Sequence, residues 1–338
     1  MESMPVRRKR LELVCPAGTP AALRTAVDAG ADTVYCGLNN ETNARNFPGL
    51  NFSEDELATA VRHAHGKGAK VLLAVNTFAR AGAIAVWTRA VDAAQACGAD
   101  AVIAADLAVL DYAANRYPDL RLHLSVQAAA NTPEAIGYYQ KTFGVRRVVL
   151  PRVLSVEEIA RLNQAVEVET EAFVFGGLCV MTEGRCALSS YATGKSPNLT
   201  GVCSPPDHVV YEKTSENRLL ARLGGFTIDR FDEGEAAGYP TLCKGQFCAN
   251  GKAGYLFEDP VSLNAAALLP RLQEAGVTAV KIEGRQRGKA YIGSVVRAFR
   301  RAIEDLAGDG KANNLADELT ALTEGGRQTT GAYRKTWR

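Results

Sequence analysis

Residues 11–38 read LELVCPAGTPAALRTAVDAGADTVYCGL. Leu11 to Cys15 alternate as a short strand, and Pro16-Ala17-Gly18 turns the chain. Thr19 is placed to cap a helix with Pro20 in its first position. ALRTAVDAG then carries apolar side chains at helical spacing as far as Gly30. GADTVYCGL gives a second strand. A strand, a helix and a strand within about 30 residues have the size of one βαβ crossover.

The end of that unit recurs. Gly30-Ala-Asp-Thr-Val-Tyr, Gly98-Ala-Asp-Ala-Val-Ile, Gly144-Val-Arg-Arg-Val-Val and Gly276-Val-Thr-Ala-Val-Lys each set a helix-ending glycine directly before a β-branched strand. Short helix-to-strand loops are built this way. The expected strands are 11–15, 33–37, 70–76, 101–105, 121–126, 146–150, 170–175 and 277–283. Helical patterns lie between them at 53–66, with Ser53 as cap, and at 84–97, 106–116, 132–142 and 155–165; another follows at 288–306. This alternation predicts an α/β fold, a (β/α)8 TIM-type barrel. An open doubly wound sheet is the other arrangement the pattern allows.

The barrel is assigned to residues 11–186 and 271–306. Residues 1–10 are expected to be a disordered basic N-terminus, 187–270 an insertion between strands 7 and 8, and 307–338 a C-terminal segment. Without the insertion about 250 residues remain, the usual size of this barrel. The insertion is polar and shows few clear helices. A long connection without regular structure points to function or disorder. The basic tail RQTTGAYRKTWR (327–338) is either frayed or docked, on a partner or over the barrel mouth.

Composition narrows the function. The chain has 338 residues, 47% apolar and 22% charged, with a formal net charge of +2. That charge gives no reason to expect nucleic-acid binding by bulk electrostatics. Eight cysteines are too sparse for a disulfide framework in a chain of this length. The apolar run after Arg7 and Arg8 is too short for an export signal, and no run of about 18 apolar residues exists to span a membrane. A reducing, cytoplasmic setting is expected. Walker, GxGxxG, HExxH and GxSxG motifs are all missing. Cys15 and Cys36 lie on apolar strands and are expected in the core, and Cys97 at a helix end.

The chemistry gathers after the seventh strand, in EAFVFGGLCVMTEGRCALSS (171–190). Cys179 and Cys186 share one glycine-containing loop. Cys203 and Cys243 follow inside the insertion, giving the spacing C-x6-C-x16-C-x39-C. Thiolates are soft ligands that suit iron–sulfur or zinc, and four of them fit a [4Fe–4S] cluster. Four buried cysteines acting as small hydrophobes are the plainer alternative. Cys248 is a second candidate for the fourth ligand, with Cys243 favoured by its tighter turn.

Barrel enzymes carry their chemistry at the carboxyl ends of the strands. Those ends hold Cys15, Tyr35, Asn76, Asp106, Gln127, Arg152, Gly176 to Cys179, Lys281, Glu283 and Arg285. Asp106 has the position of a helix N-cap. Asn76, Gln127, Arg152, Lys281, Glu283 and Arg285 are the substrate-site candidates. The three cations are suited to a carboxylate.

The motif E-x-F-x-F-G-x-L-C-x4-G-x-C-x-L-S, at Glu171 to Ser189, resembles the signature of the collagenase-like peptidase family. LVCPAGTPAALRTAVDAGADTVYCGL, TNARNFPGLNFSEDEL, VVLPRVLS, SSYATGKSPN, GYPTLCKG, AVKIEGRQR and QTTGAYRKTW extend the resemblance over nearly the whole chain, towards its ubiquinone-biosynthesis, UbiU-type branch. The resemblance implies a [4Fe–4S] cluster on Cys179, Cys186, Cys203 and Cys243. It also implies a heterodimer with a UbiV-type sister subunit and a lipid-carrier protein that presents the quinone precursor. The implied activity is O2-independent ring hydroxylation, with prephenate as oxygen donor. Relatives hydroxylate RNA bases, so RNA is the alternative substrate; a non-catalytic, cluster-bearing relay or scaffold is another reading, and peptidase activity ranks last. Cys248 is a departure from the branch's pattern and leaves the fourth ligand open.

Overall fold

The computed structural model describes residues 10–197, 202–235, 237–308, 315–323 and 327–334. Of the basic N-terminus expected at 1–10, residues 1–9 lie outside this set, as do residues 335–338 of the tail.

Local signals start the helices where the sequence places them. Thr19 Oγ1 accepts from Ala22 N at the head of α1 (Pro20–Asp28). Ser53 and Glu56 form a capping box on α2 (Glu54–His65), with acidic residues in its first turn and basic ones in its last, both favourable to the helix dipole. α3 (Ile84–Ala96) precedes α4 (Leu107–Arg116), which Asp106 caps by accepting from Ala108 N and Val109 N. Thr132 caps α5 (Pro133–Phe143), and Ser155 with Glu158 caps α6 (Val156–Ala165).

Between these helices run β1 (Glu12–Pro16), β2 (Thr33–Gly37), β3 (Lys70–Val75), β4 (Ala101–Ala104), β5 (Arg121–Leu124), β6 (Arg147–Val149) and β7 (Glu169–Gly176). β14 (Ala279–Ile282) comes much later in the chain and pairs in parallel with both β7 and β1. The eight strands therefore close into a parallel barrel with helices outside, as the alternation predicts. The helix Lys289–Gly308 packs on α1 and β1. Leu13, Cys15, Leu23, Cys36, Leu57, Trp87 and Phe299 belong to the fully buried layer between strands and helices. Burial of this layer is the main stabilising term.

The stretch expected to lack regular structure is more ordered than its composition suggests. After α7 (Leu188–Thr193), β8 (Val209–Lys213), β9 (Leu219–Leu223) and β10 (Phe226–Phe231) form an antiparallel sheet. β11 (Gln246–Ala249) and β12 (Lys252–Tyr255) form a hairpin, and β13 (Ser262–Asn264) pairs antiparallel with the end of β7. Asn217, Gly224 and Gly225 turn the chain at positive φ between β8, β9 and β10. Short strands interrupted by charged turn residues hide the alternation that would announce them.

Gly176 ends β7 at φ 106°, and a Cβ there would collide with Glu283 O. Gly144 also has positive φ, at 68°, yet a Cβ at that position would meet nothing within 4 Å. Gly144→Ala is expected to cost about 1–2 kcal/mol, the backbone term alone. Gly176→Ala adds a backbone collision and is expected to cost about 3 kcal/mol or more. Urea-unfolding midpoints of the two variants check the difference.

Candidate active site

Barrel closure brings the cysteine loop beside the segment Lys281–Arg285. In the register of β7 with β14, Ala279 stands opposite Glu171 and Lys281 opposite Phe173. Lys281 Nζ reaches Glu171 Oε1 at 2.6 Å across this seam, and Arg147 Nη1 donates to Glu171 Oε2 at 3.2 Å. Glu171 is 0% exposed. A carboxylate that deep requires paired cations. Arg147 is itself anchored by Glu12 and Glu169, each at 2.6 Å. The interior thus departs from the usual apolar layers of such barrels. Its apolar part is Val14, Tyr35, Leu72, Ala101, Ile103 and Ala279. Burial pushes Lys281 below its ordinary range, against the pull of Glu171.

Above this floor lies the mouth. The Lys281 ammonium sits 3.7 Å from the Tyr35 ring centroid, and Tyr35 donates its hydroxyl proton to Ile282 O at 2.8 Å. Arg152 Nε donates to Glu183 Oε1 at 2.7 Å, Arg152 also donates to Gly177 O, and its guanidinium lies 4.3 Å over the Phe173 ring. Gly177 N donates to Glu283 Oε2 at 3.2 Å, while Arg45 lies 3.7 Å from Glu283 Oε1. Burial raises the Glu283 carboxyl, but Arg45, Arg152 and the Gly177 N–H outweigh it and hold it low. Arg285 Nη1 donates to Asn43 Oδ1 at 2.6 Å.

The expected substrate-site residues therefore share one end of the barrel in two groups. Arg152 joins the cysteine loop, and Lys281, Glu283 and Arg285 surround Tyr35. Arg152 and Lys281, expected to face a ligand carboxylate, are bound to Glu183 and Glu171 instead. Asn76 braces the loop after β2, accepting from Ala44 N at 3.0 Å. Gln127 lies on the turn Val126–Ala128; its Oε1 is buried without a partner, as is Glu183 Oε2. Gly184 touches the Gln127 carbonyl so closely that a Cβ would not fit. Asn43, Arg45, Glu171 and Glu183 were not singled out by strand-end position. Buried polar residues in NETNARN and the glutamates of the motif were the available signal.

Cys179, Cys186, Cys203 and Cys243 are all half-buried. The charge on Cys203 would be felt by Cys179 and Cys243, and that on Cys186 by Cys203 and Cys243. Burial pushes the Cys179 thiol up to about 12, with Glu183 adding to the effect and Arg152 opposing it. Burial likewise raises Cys243 to about 12. Cys243 lies in the turn Leu242–Lys244, while Cys248 is exposed on β11. Among the described residues no three His, Cys, Asp or Glu side chains converge tightly enough for a single metal ion. The tail docks nearby: β15 (Gln328–Thr329) pairs with β13, and Tyr333, 4% exposed, donates to Phe173 O at 2.5 Å.

The profile of peptidase family U32 matches residues 18–335. The chain belongs to peptidase family U32. This U32 chain is 30% identical over 342 residues to tRNA hydroxylation protein P of Escherichia coli K12, covering 96% of the chain and 74% of that protein. It is 29% identical over 304 residues to a collagenase of Porphyromonas gingivalis, covering 87% of the chain and 65% of that protein. It is 28% identical over 306 residues to the 23S rRNA 5-hydroxycytidine C2501 synthase of E. coli K12, covering 90% of the chain and 41% of that protein. The chain thus spans from two fifths to three quarters of the length of these relatives. Among its described residues Cys15 and Cys36 are fully buried, and burial raises both thiols, Cys36 to about 12. Neither is available as a thiolate nucleophile. No helix among the described residues is long and apolar enough to cross a membrane.

Two predictions concern the charged floor. Glu171→Leu leaves Lys281 without its carboxylate and is expected to cost about 3–5 kcal/mol. Adding Lys281→Met should restore much of that loss in a double-mutant cycle read by chemical denaturation. The second is pH dependence. Burial, together with Arg147 and Arg121, holds His123 well below its ordinary 6.5. The unfolded chain therefore takes up a proton that the folded chain refuses, and stability falls as pH drops below about 6.5. Glu12 and Glu169 are raised by burial but lowered more by Arg147, to a net value below 4.5. Their contribution is complete above about 4.5 and is lost as pH falls through their folded values. Thermal melts across pH 3–8 should fall in two stages, and His123→Asn should remove the upper one; a single acid transition in the parent would contradict this.

Proposed function

We propose that this U32 chain is a hydroxylase acting on a base of RNA. The observation that carries the reading is the match to a tRNA hydroxylation protein over 96% of the chain. The rRNA relative supports it, since its name records a hydroxyl placed on a pyrimidine.

In this reading Cys179, Cys186, Cys203 and Cys243 hold a [4Fe–4S] cluster. The donor set suits that group: four soft thiols, with Cys203 within electrostatic reach of the other three and Cys248 apart and exposed. A cluster core is wider than one ion, so its ligands stand further apart than those of a single zinc. When bound, it supplies one-electron chemistry at the rim of the mouth. The chain's own residues do the rest. Arg152 and Glu283 clamp the Gly177 peptide and so fix the start of the cysteine loop. Lys281 and Tyr35 form the floor under the reacting ring. Tyr333, donating to Phe173 O, fixes the tail against β7.

A second reading keeps the chemistry and changes the substrate to the ring of a ubiquinone precursor. It involves a UbiV-type sister subunit and a lipid carrier in the cytoplasm. The net charge of +2, and the pairing of Arg152 and Lys281 with internal glutamates, favour it by leaving little positive field for a polyanion. Mass spectrometry of tRNA and rRNA nucleosides and of quinone precursors, in cells with and without the gene, separates the two. The RNA reading predicts that one hydroxylated base disappears and returns with the wild-type gene. Unchanged RNA with an accumulated precursor one hydroxyl short would transfer the assignment to the quinone ring.

A further inference from the structure

Among the described residues, the mouth contains a buried cation that no carboxylate contacts directly. Arg285 is 5% exposed. Its only hydrogen bond among the described residues goes to a neutral acceptor, Asn43 Oδ1, at 2.6 Å. The Tyr35 ring centroid lies 5.6 Å from its guanidinium carbon, and the like-charged Arg45 acts on it through space. Every other buried guanidinium or ammonium of the barrel interior and mouth has a carboxylate: Arg147 has Glu12, Glu169 and Glu171, Arg152 has Glu183, and Lys281 has Glu171. Glu283 acts on Arg285 only through space and is held by Gly177 N and Arg45. A desolvated charge normally requires a partner.

The surroundings are built to hold this residue. Asn43 Oδ1 also accepts from Arg45 N at 3.0 Å, and Asn43 Nδ2 donates to Leu38 O at 3.1 Å, so the carboxamide has one orientation. A Cβ at Gly37 would overlap the Asn43 side chain, and one at Gly18 would overlap Arg285 O. Gly37 at the end of β2 and Gly18 in the turn after β1 thus admit the pair. The loop that carries Asn43 is pinned in turn by Asn51 Nδ2, which donates to Arg45 O, and by Ala44 N, which donates to Asn76 Oδ1.

We propose that Arg285, fixed by Asn43, is a recessed binding post for the oxyanion of a small ligand, a carboxylate or a phosphate. A guanidinium with one fork occupied by Asn43 keeps further N–H donors for bidentate contact with either group. The site is independent of whether RNA or a quinone ring is hydroxylated, because it is assigned from the charge balance of the mouth. Burial lowers the guanidinium to about 10, consistent with an unmet partner.

The test uses the full chain purified anaerobically, at fixed ionic strength. Sodium chloride is replaced stepwise by sodium malonate or sodium phosphate, and melting temperature and calorimetric binding are recorded. At least one of the two anions is expected to bind and raise the melting temperature above that in chloride. Preference for malonate marks a carboxylate ligand, and preference for phosphate a phosphorylated one. Arg285→Met removes the charge, and Asn43→Asp supplies a carboxylate from within. Each is expected to weaken binding on the order of tenfold or more. Asn43→Asp gives up the bond to Leu38 O, so near-ultraviolet dichroism confirms its fold; should Arg285→Met not fold, Asn43→Asp decides alone. No response to either anion in the parent, or undiminished binding in the folded variants, would overturn the proposal.

Discussion

The ion pair between Glu171 and Lys281 crosses the seam at which the barrel closes. One partner lies on β7 and the other on β14, more than a hundred residues later in the chain. Neither group is accommodated in that interior alone. Arg147 completes the charge balance by holding Glu171 from the other side, with Glu12 and Glu169 behind it. Strand pairing fixes the register of the seam, and this pair penalises any slip, since a shifted register would leave a buried charge uncompensated. The geometry of the mouth follows from that register. β7 runs out through Gly176 into the cysteine loop, and β14 runs out into Glu283 and Arg285 at the same level.

What surrounds the mouth comes from widely separated parts of the sequence. The loop after β2 brings Asn43 and Arg45, the turn after β5 brings Gln127, and the loop after β6 brings Arg152. The insertion contributes Cys203 and Cys243, and the tail contributes Tyr333. Hydrogen bonds join several of these segments: Arg285 to Asn43, Arg152 to Glu183 and Gly177 O, and Tyr333 to Phe173 O. Such a rim is ordered by polar complementarity over a floor ordered by charge. Arg285 stands out within it because its partner is a carboxamide.

Much of the barrel was legible in the sequence. Gly30, Gly98, Gly144 and Gly276 all adopt positive φ, as helix-ending glycines before strands should. Thr19, Ser53 and Asp106 cap where their spacing places them. The insertion was less legible, because Val209–Lys213 (VVYEK) and Leu219–Leu223 (LLARL) are short and neither alternates apolar with polar residues. The candidate site was legible as a location and less so in its wiring. Strand-end position found Arg152, Lys281, Glu283 and Arg285, but which cation is already paired depends on Glu171 and Glu183, and so on the closed barrel. Burial of Tyr333 inside a basic tail had no local signal at all. The motif run indicated the family correctly and leaned towards a quinone substrate, whereas the relatives described above carry RNA-hydroxylation and collagenase names.

The proposed chemistry requires Cys179, Cys186, Cys203 and Cys243 to form one centre. Iron and acid-labile sulfide should be measured on anaerobically purified protein, with Cys243→Ala and Cys248→Ala beside the parent. Near four iron and four sulfide per chain, lost in Cys243→Ala and kept in Cys248→Ala, is the predicted result. Protein that carries zinc or no metal after anaerobic reconstitution, or iron that survives Cys243→Ala and leaves with Cys248→Ala, would contradict it.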